Sequence, residues 1–597
     1  MEKHVEKESA RRQSGFLVEK VFSRLFVVML IGMLATILCN VIDAIVTGQF
    51  LGSNAVAAMG LTSPAVSAVS VVTALFVTGT SQLCTRNMGK ADLEKVNQVF
   101  STMAVCTVAL CLLSGAALFL LAPAYIASVS SEINEEAAWM AVDYLRGYAF
   151  LIPPMGLAVL LNGLMALDND QQRSGGFAFV MLVSDVVFDL LNVLVFHKGM
   201  LGMALASAIS CGLGLVYLLF HFRKKGHLLR FSFKNLYFGD VGEVLIFGFA
   251  SVIPSLMNTV RSLSINYSLT SAGGTEAVAA FAAAGGGFIL ITSLIMTIQS
   301  VTSTLSSLSY GEEDADNLER ILKTSLVTTY RIYLLVGTVV FLFAPAVAGI
   351  FLNDHTTGVN KLVATFVRFM AFQNLLTLAS YSLTGAYTGT GQIKLNYLIS
   401  GLRDGLFPCL CVLSLGTLFG LKGICFSLPL TGLLTLLCCL LIPAIANGKI
   451  PVRIRELLIL PASFALSASE SYEATIRTLD EAAEVSRETY EFCIKRGENK
   501  KTAGFVSLFV EEMAGNTVRH GFQSVRDGRV ELKLILKEDK RLIRMKDNGI
   551  PFDPIKWLEQ NHSEDPTQNI GIKMIVGLAG VVQYVPAMSI NTLLVYL

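Results

Sequence analysis

The sequence predicts a protein of two parts: an α-helical membrane body of twelve transmembrane helices in two parallel six-helix repeats, and a C-terminal two-layer α/β domain. Three observations predict it. The 597 residues are 53% hydrophobic and only 15% charged, whereas soluble domains are about a quarter charged. Residues 451–597 hold 39 of the 91 charged residues. Several motifs also recur at one fixed offset. The net charge of +1 gives no reason to expect nucleic acid as a partner.

Twelve apolar segments are long enough to cross a bilayer. They lie at about 22–47, 54–82, 98–125, 137–162, 173–196, 200–222, 238–270, 276–308, 322–352, 362–388, 394–419 and 421–445. These segments predict an N-terminal segment at 1–20, a first lobe at 21–223, a second lobe at 224–446, a linker at 447–455 and the α/β domain at 456–597.

Positive charge alternates between the connections. One set of connections carries Arg86, Lys90, Lys95, Arg223, Lys224, Lys225, Arg230, Lys234, Arg320 and Lys323. The opposite connections, near 48–54, 126–136 and 271–275, hold no lysine or arginine. By the positive-inside rule, we expect both termini and the α/β domain in the cytoplasm, and the body in the inner or plasma membrane.

The two sets of six helices resemble copies of each other. The run Gly52–Ala58 recurs as Gly274–Ala280, Phe119–Ala124 recurs as Phe341–Ala346, and Gly89 recurs as Gly311, each 222 residues later. Gly202 pairs with Gly423 at an offset of 221. An even number of spans per repeat gives both lobes the same orientation, with a cavity between them that can open to either side. The repeat favours a carrier over a channel.

Three carboxylates inside predicted spans of the first lobe have no ionisable counterpart at the equivalent positions of the second lobe. Asp43 lies in the first span, and Asp185 and Asp189 lie in the fifth. The residues 222 positions later are Ile265, Phe407 and Cys411. A charge at the bilayer centre costs at least about 2.5 kcal/mol, and the i, i+4 spacing of Asp185 and Asp189 places them on one helix face.

Such a pair resists double ionisation and can carry a proton. With Asn40 and Asn192 nearby in sequence, the same oxygens could instead surround a sodium ion. A structural polar network around Asp43 is the alternative. For Arg261, Arg331 and Arg403 we expect snorkelling or pairing with a carboxylate such as Asp404. The eleven cysteines show no metal-ligand spacing, which indicates packing roles.

At these residues the chain resembles the multidrug and toxic compound extrusion (MATE) transporters. The resemblance spans about 20–446. The matching motifs are Asn40-Val-Ile-Asp43, Gly48, Leu51-Gly52, Ala55 to Pro64, Arg86-Asn-Met-Gly89, Asp189, Gly202 to Ala206, Tyr310-Gly311 and Arg403. The resemblance implies a two-lobed antiporter that exports small organic, often cationic, compounds by alternating access against inward H+ or Na+. It assigns ion coupling to Asp43 and Asp189. Asp185 departs from the family, in which asparagine is usual at that place.

The α/β domain has a pattern of alternating elements. We expect a strand near 456–461, an amphipathic helix at about 472–496, a helix near 502–521, strands at 530–536 and 542–545, a short helix near 571–579, and strands near 581–585 and 590–596.

Three clusters in this domain carry chemistry. Glu512, Asn516 and His520 recur at i, i+4, i+8 on one helix face, where a carboxylate and an amide can hold Mg2+ with triphosphate oxygens. Asp547, followed by Gly549, could accept a hydrogen bond from an adenine amino group. Asn569-Ile-Gly571 opens a helix whose N-terminus suits phosphate.

Together these clusters resemble the N, G1 and G2 boxes of the GHKL (Bergerat-type) ATP-binding fold, most closely the anti-sigma-factor serine kinase branch. The resemblance covers about 456–597. It implies a site for ATP and Mg2+, with Glu512 as general base, Asn516 at the metal and Asp547 at adenine. Asn569 stands where glycine is frequent, and the lid segment 554–568 is short, so ATP binding is better supported than turnover.

Two other ATP-dependent classes are excluded. No histidine lies between His355 and His520, as the phosphoacceptor helix of a sensor histidine kinase would require, and the chain has no Gly-x-x-x-x-Gly-Lys-Ser/Thr loop of an ABC-type pump. We therefore expect an ion-coupled exporter embedded in membrane lipid, with a module that regulates it or phosphorylates a serine or threonine of a protein target. The alternatives are a signalling protein whose membrane half is a receptor, and a flippase for lipid-linked sugars or polysaccharides.

Overall fold

A computed structural model describes residues 16–129, 135–165, 167–223, 226–346, 357–461, 464, 470–523, 525–537, 541–560 and 570–597. The first lobe contains six helices. They are α1 (Phe16–Val46), α2 (Ser53–Gly89), α3 (Leu93–Val129), α4 (Glu135–Met165), α5 (Gln171–Leu191) and α6 (Gly199–Leu219). Helices α1 and α5 each continue into one π-helical turn, Thr47–Leu51 and Asn192–Phe196.

The second lobe repeats this plan. Its helices are α7 (Val241–Gly287), α8 (Ile289–Gly311), α9 (Ala315–Leu342), α10 (Thr357–Gly389), α11 (Ile393–Gly401) and α12 (Phe407–Asn447), with a π-helical turn at Leu402–Leu406 between the last two. Among the described residues, eleven helical stretches are long and apolar enough to span a membrane. The longest, Ile393–Asn447, is interrupted at Gly420 by non-helical backbone and corresponds to two of the twelve predicted spans.

The backbone conformation also shows the internal repeat. Left-handed residues occur in pairs at the offset seen in the sequence: Gly52 with Gly274, Ala91 with Glu313, Asn169 with Gly391, and Gly199 with Gly420. Each residue lies where one span ends and the next begins. The same turn therefore recurs at equivalent positions of both lobes, even where the residue is not glycine, which supports two copies of one six-helix unit.

The C-terminal part, residues 471–597 (the module), is a sheet covered by helices. The strands are β1 (Ser471–Ile476), β2 (Val530–Leu536), β3 (Arg541–Asp547), β4 (Val581–Ala587) and β5 (Ile590–Tyr596), in the order β1-β2-β3-β5-β4 with every neighbour antiparallel. The helices are α13 (Leu479–Lys495), α14 (Lys500–Phe509), α15 (Pro554–Gln560) and α16 (Ile570–Leu578). Alternate strand residues such as Leu532, Ile543 and Val595 pack with the helices in one core.

Two predictions for the module are wrong. The expected strand near 456–461 is absent: Ile454–Leu457 is a 3-10 turn, and its neighbour Leu458 is buried against the second lobe. The expected helix at 472–496 begins only at Leu479, because strand β1 occupies Ser471–Ile476. Thr478 and Glu481 form a capping box that fixes this start. The other predicted helices and strands of the module are confirmed.

The second face of the sheet lies on the membrane body. We call the end of the body that carries the connections 89–93, 165–171, 223–241 and 311–315 the module face. Ile535, Leu542 and Leu594 of the sheet form an apolar cluster with Ala91 of this face. Beside it, Lys533, Arg544 and Lys546 are buried against acidic residues of the connection between α8 and α9. The sheet is therefore covered on both faces.

Candidate ion-coupling and nucleotide sites

The three intramembrane acids of the first lobe converge. Carboxylate oxygens of Asp43, Asp185 and Asp189 lie within 4.8 Å of one another. Asp185 and Asp189 are 2% and 0% exposed, because their shared face of α5 turns towards α1. Both oxygens of Asp189 and one oxygen each of Asp43 and Asp185 accept no hydrogen bond from the described residues. A cluster of three carboxylates with so few donors can be stabilised by a proton or a bound cation.

The neighbouring groups are small and polar. Cys39 of α1 and Ser207 and Ser210 of α6 lie beside Asp185. Sequence analysis missed these three residues, because hydroxyls and thiols are common in membrane helices and no motif marks them. They add oxygen and sulfur atoms to the acid cluster without adding a positive charge.

The two asparagines expected near the acids have other surroundings. The side chain of Asn192 accepts from the amide of Lys198 at 3.2 Å and donates to the carbonyl of Gly199 at 3.0 Å, so it organises the connection between α5 and α6. Asn40 is exposed on α1 and lines a shallow groove with Val41 and Ile289.

The second lobe contains a buried ion pair where the first lobe has acids. Arg403 binds Asp404 at 2.6 Å and lies over the ring of Tyr381, 3.7 Å from its centroid. Arg261 donates to Asn258 at 2.5 Å and lies 4.0 Å from Asp404. The expected pairing with Asp404 is confirmed for Arg403 and is looser for Arg261, while Arg331 is exposed on its helix.

The first candidate nucleotide-binding cluster of the module lies on one partly exposed helix face. Helix α14 continues through π-helical turns at Val510–Ala514 and Thr517–Gly521, and π turns of this kind are frequent at functional sites. Glu512 and Asn516 are half-buried and His520 is exposed. This face is accessible to a ligand.

The structure brings the second cluster against the first. Asp547 ends β3, and its carboxylate accepts from the amide of Gly549 at 2.8 Å and from Asn591 Nδ2 at 2.8 Å. The amide of Ile550 donates to the carbonyl of Gly521 at 2.9 Å, and a Cβ on Gly549 would lie 2.9 Å from that carbonyl oxygen. Only glycine allows this approach of the Asp547 turn to the end of the α14 extension.

Asp547 is electrostatically distinctive. Burial raises its pKa to about 6, while the hydrogen bonds from Asn591 and Gly549 oppose the rise. Asn591 is oriented in turn by Tyr584, whose hydroxyl donates to Asn591 Oδ1 at 2.9 Å. Asn591 and Tyr584 escaped sequence analysis, because they belong to the β4–β5 hairpin, more than 35 residues from Asp547 and outside any motif.

The third cluster opens helix α16. Gly571 is its second residue, and Asn569 lies outside the described residues, as does most of the expected lid segment 554–568. The described part of that segment forms α15.

A two-lobed helical repeat with a cluster of acids in the first lobe is typical of membrane transporters, and the module has the sheet and box positions of a GHKL-type ATP-binding domain. The comparisons with known proteins agree. The MatE family model matches residues 29–195 and 250–408, and the model of the histidine kinase-like ATPase domain matches residues 476–595. The chain belongs to the MatE family and carries a histidine kinase-like ATPase domain at its C-terminal end.

Named relatives are multidrug export proteins. The chain is 23% identical over 442 residues to the multidrug export protein MepA of Staphylococcus saprophyticus, a match that covers 72% of this chain and 94% of that protein. It is 21% identical over 439 residues to MepA of Staphylococcus aureus, with the same coverage.

Solved structures show the same fold. One is the outward-facing conformation of a multidrug resistance MATE family transporter of the MOP superfamily, with a TM-score of 0.65, 21% identity, and coverage of 70% of this chain and 93% of that chain. Another is a MOP superfamily transporter from Pyrococcus furiosus, with a TM-score of 0.63, 21% identity, and coverage of 70% and 94%.

Proposed function

We propose that the protein is an ion-coupled antiporter that exports small organic compounds, cations among them, by alternating access. The observation that carries this proposal is the cluster of Asp43, Asp185 and Asp189, in which one half-buried and two buried acids face one another and four of their six oxygens accept no hydrogen bond from the described residues. Three carboxylates cannot all remain ionised and empty in a poorly solvated site. Uptake of H+ or Na+ on one side of the membrane and release on the other would drive export.

The ion gradient is the proposed source of energy. The multidrug export relatives support an organic substrate. We place the module face and the module in the cytoplasm, because the connections of that face carry the lysines and arginines. There the module would bind ATP with Mg2+ through Asn516, Asp547, Gly549 and Gly571, with Glu512 as the candidate general base and His520 beside the phosphates.

The test is efflux of a fluorescent organic cation from proteoliposomes that hold an imposed pH or sodium gradient and no ATP. We expect gradient-driven efflux that is lost, by tenfold or more, in Asp189→Asn and retained in Asn516→Ala. Asp143→Asn is the matched control, because Asp143 is an exposed acid of the same lobe. A pH gradient and a sodium gradient applied separately identify the ion.

Efflux that is unchanged in Asp189→Asn, or that requires ATP, would contradict gradient-driven export. A second candidate function is signalling, with the membrane body as a receptor for the module. The contact of the module with both lobes favours it. A cellular phenotype that survives Asp189→Asn but is lost in Asn516→Ala would support this second function.

A further inference from the structure

The turn between β4 and β5 is inserted into the membrane body. Met588 at this turn is 1% exposed and belongs to the same apolar cluster as Leu167 and Leu305 of the two lobes. Its amide donates to the carbonyl of Leu167 at 3.3 Å. Asn169 of the body donates to the carbonyl of Pro586 at 2.5 Å and accepts from the amide of Ser589.

The insertion point is the line at which the two lobes meet. Gly89 of the first lobe and Gly311 of the second are in backbone contact: a Cβ on Gly89 would lie 2.1 Å from the carbonyl oxygen of Leu308. One cavity is lined by residues of both lobes together with Met588 and Ile590 of the hairpin; the lobe residues include Met88, Gly89, Ala91, Leu308, Ser309 and Glu312. The hairpin therefore lies directly over the lobe–lobe contact, and its tip touches both sides.

The turn is held in a backbone conformation that its residues disfavour. Met588 and Ser589 both have positive φ, at 54° and 61°, in a two-residue turn for which asparagine and glycine are the preferred residues. Side chains persist in such conformations when the surroundings fix them. Here the surroundings are the membrane body, including Arg24, which donates to Ser589 Oγ at 2.7 Å.

The same hairpin reaches the nucleotide site. Asn591 lies three residues after Met588, and its amide nitrogen donates to Asp547 and, at 3.1 Å, to the carbonyl of Gly549. Asn591, which contacts the Asp547 carboxylate proposed to bind adenine, is thus only three residues along the chain from the inserted Met588.

We propose that the β4–β5 hairpin is the coupling element through which nucleotide in the module controls separation of the lobes at the module face. The proposal rests on the proposed nucleotide and transport functions. Nucleotide on Asp547 and Gly549 adds contacts at the Asn591 end of β5, orders the hairpin, and stabilises its insertion over the Gly89–Gly311 contact. The lobes then part at this face only when the tip withdraws.

The test is hydrogen–deuterium exchange of the full chain in nanodiscs, with and without the magnesium complex of a non-hydrolysable ATP analogue. The key variant is Met588→Gly with Ser589→Gly, which removes the inserted side chains and suits the positive φ values, so that the module stays folded. Val581→Ala is the matched control, because Val581 lies at the exposed far end of the same hairpin.

In the wild type and in Val581→Ala, we expect the analogue to slow exchange in peptides covering 86–92 and 305–314 by at least about fivefold, the lower end of ordinary coupling between sites. In the double-glycine variant we expect the analogue still to bind, more weakly by about the same factor because coupling is reciprocal, and to cause no slowing in those peptides. Binding without any response in the wild type, or an equal response in the double-glycine variant, would overturn the coupling alone. Failure of the wild type to bind the analogue would overturn the nucleotide function, and the coupling with it.

Discussion

At the scale of the residue, Asp547 is the group whose charge is most open to experiment. Its raised pKa means that the folded module favours the neutral carboxyl. As pH rises from about 4 through 6, the folded state therefore loses stability, because Asp547 must ionise where it is poorly solvated. The ionised form is the stronger acceptor for an adenine amino group. Nucleotide binding is thus expected to favour the ionised form of this side chain, whereas stability of the folded module favours the neutral form.

The first residue-scale prediction follows from Asn591. We expect the affinity of the full chain for MgADP to fall as pH drops below about 6. In Asn591→Ala, the hydrogen bond that lowers the pKa of Asp547 is gone, so the inflection should move to higher pH and the affinity at pH 7 should fall. Calorimetric titration between pH 5 and 8 measures both. Protonation of the ligand is common to both proteins and cancels in their comparison.

An unchanged inflection with a uniformly weaker affinity would mean that Asn591 only supports the fold.

The sequence predicted Asp547 because Asp-x-Gly after a strand is a local pattern. It could not predict Asn591, since that partner is defined by strand pairing: Asp547 and Asn591 are directly opposite in β3 and β5. Likewise, convergence of Asp185 and Asp189 followed from helical spacing, whereas the approach of Asp43 from α1 required the helices to be packed.

At the scale of the element, helices α2 and α8 approach so closely that their contact has no room for side chains. We expect Gly89→Ala to push the lobes apart at the module face, because its Cβ would collide with the carbonyl oxygen of Leu308. Overpacking of this kind costs about 1–3 kcal/mol. The melting temperature of the detergent-solubilised protein should fall, and efflux in proteoliposomes should change with it.

Gly60→Ala is the control within the same helix, because nothing lies within 4 Å of a Cβ at Gly60. Alanine favours helix over glycine by about 1 kcal/mol, so this variant should match or exceed the wild-type melting temperature. Equal melting temperatures for the two alanine variants would contradict a tight contact at Gly89. The sequence paired Gly89 with Gly311 by repeat offset, but only the packed helices show that the two glycines touch.

Element boundaries in the module were predictable where a local signal was present. The alternation at 530–536 identified β2, whereas the apolar run Leu457 to Leu460 suggested a strand that does not form. Backbone carbonyls of that run accept hydrogen bonds from the second lobe instead of from another strand. Tyr387 donates to the carbonyl of Leu457 at 2.6 Å, and Gln392 donates to that of Leu458 at 2.8 Å. Tertiary contact overrode β propensity there.

At the scale of the whole molecule, the sheet face that the sequence marks as polar is an interface. Lys533, Arg544 and Lys546 alternate with apolar residues, a pattern typical of a solvated face. Instead all three are buried, because Glu312 and Asp314 lie opposite them in the membrane body. A sequence read in linear order cannot pair β2 and β3 with a connection more than 200 residues earlier, so this association was beyond prediction.

Asp314 is the centre of this interface. Burial would raise its pKa, but Lys533, Arg544 and Lys546 together hold the pKa well below its usual range. A lowered pKa contributes stability that is fully present above the unfolded value near 4 and is lost only as pH falls through the lower folded value. We therefore expect docking of the module to be insensitive to pH between 5 and 8.

Replacing Asp314 should release the module. Asp314→Asn leaves Lys533 and Arg544 buried with one carboxylate fewer, and breaking a buried pair in this way costs about 3–5 kcal/mol. Exchange in β2 and β3 of the full chain should accelerate to the corresponding degree. Asp316→Asn is the comparison at the edge of the interface, because Asp316 is 34% exposed and pairs with Arg455 at 3.3 Å as well as with Lys533 at 3.2 Å; exposed pairs contribute about 0–1 kcal/mol, so we expect a smaller effect than in Asp314→Asn. Adding Lys533→Met to Asp314→Asn also removes one buried positive charge, which would otherwise keep, among the described residues, only Glu473 and Asp316 as partners, and should restore part of the protection. Equal exchange in Asp314→Asn and Asp316→Asn would show that apolar contacts such as Ala91 with Leu594, and not the ion network, hold the module on the transporter.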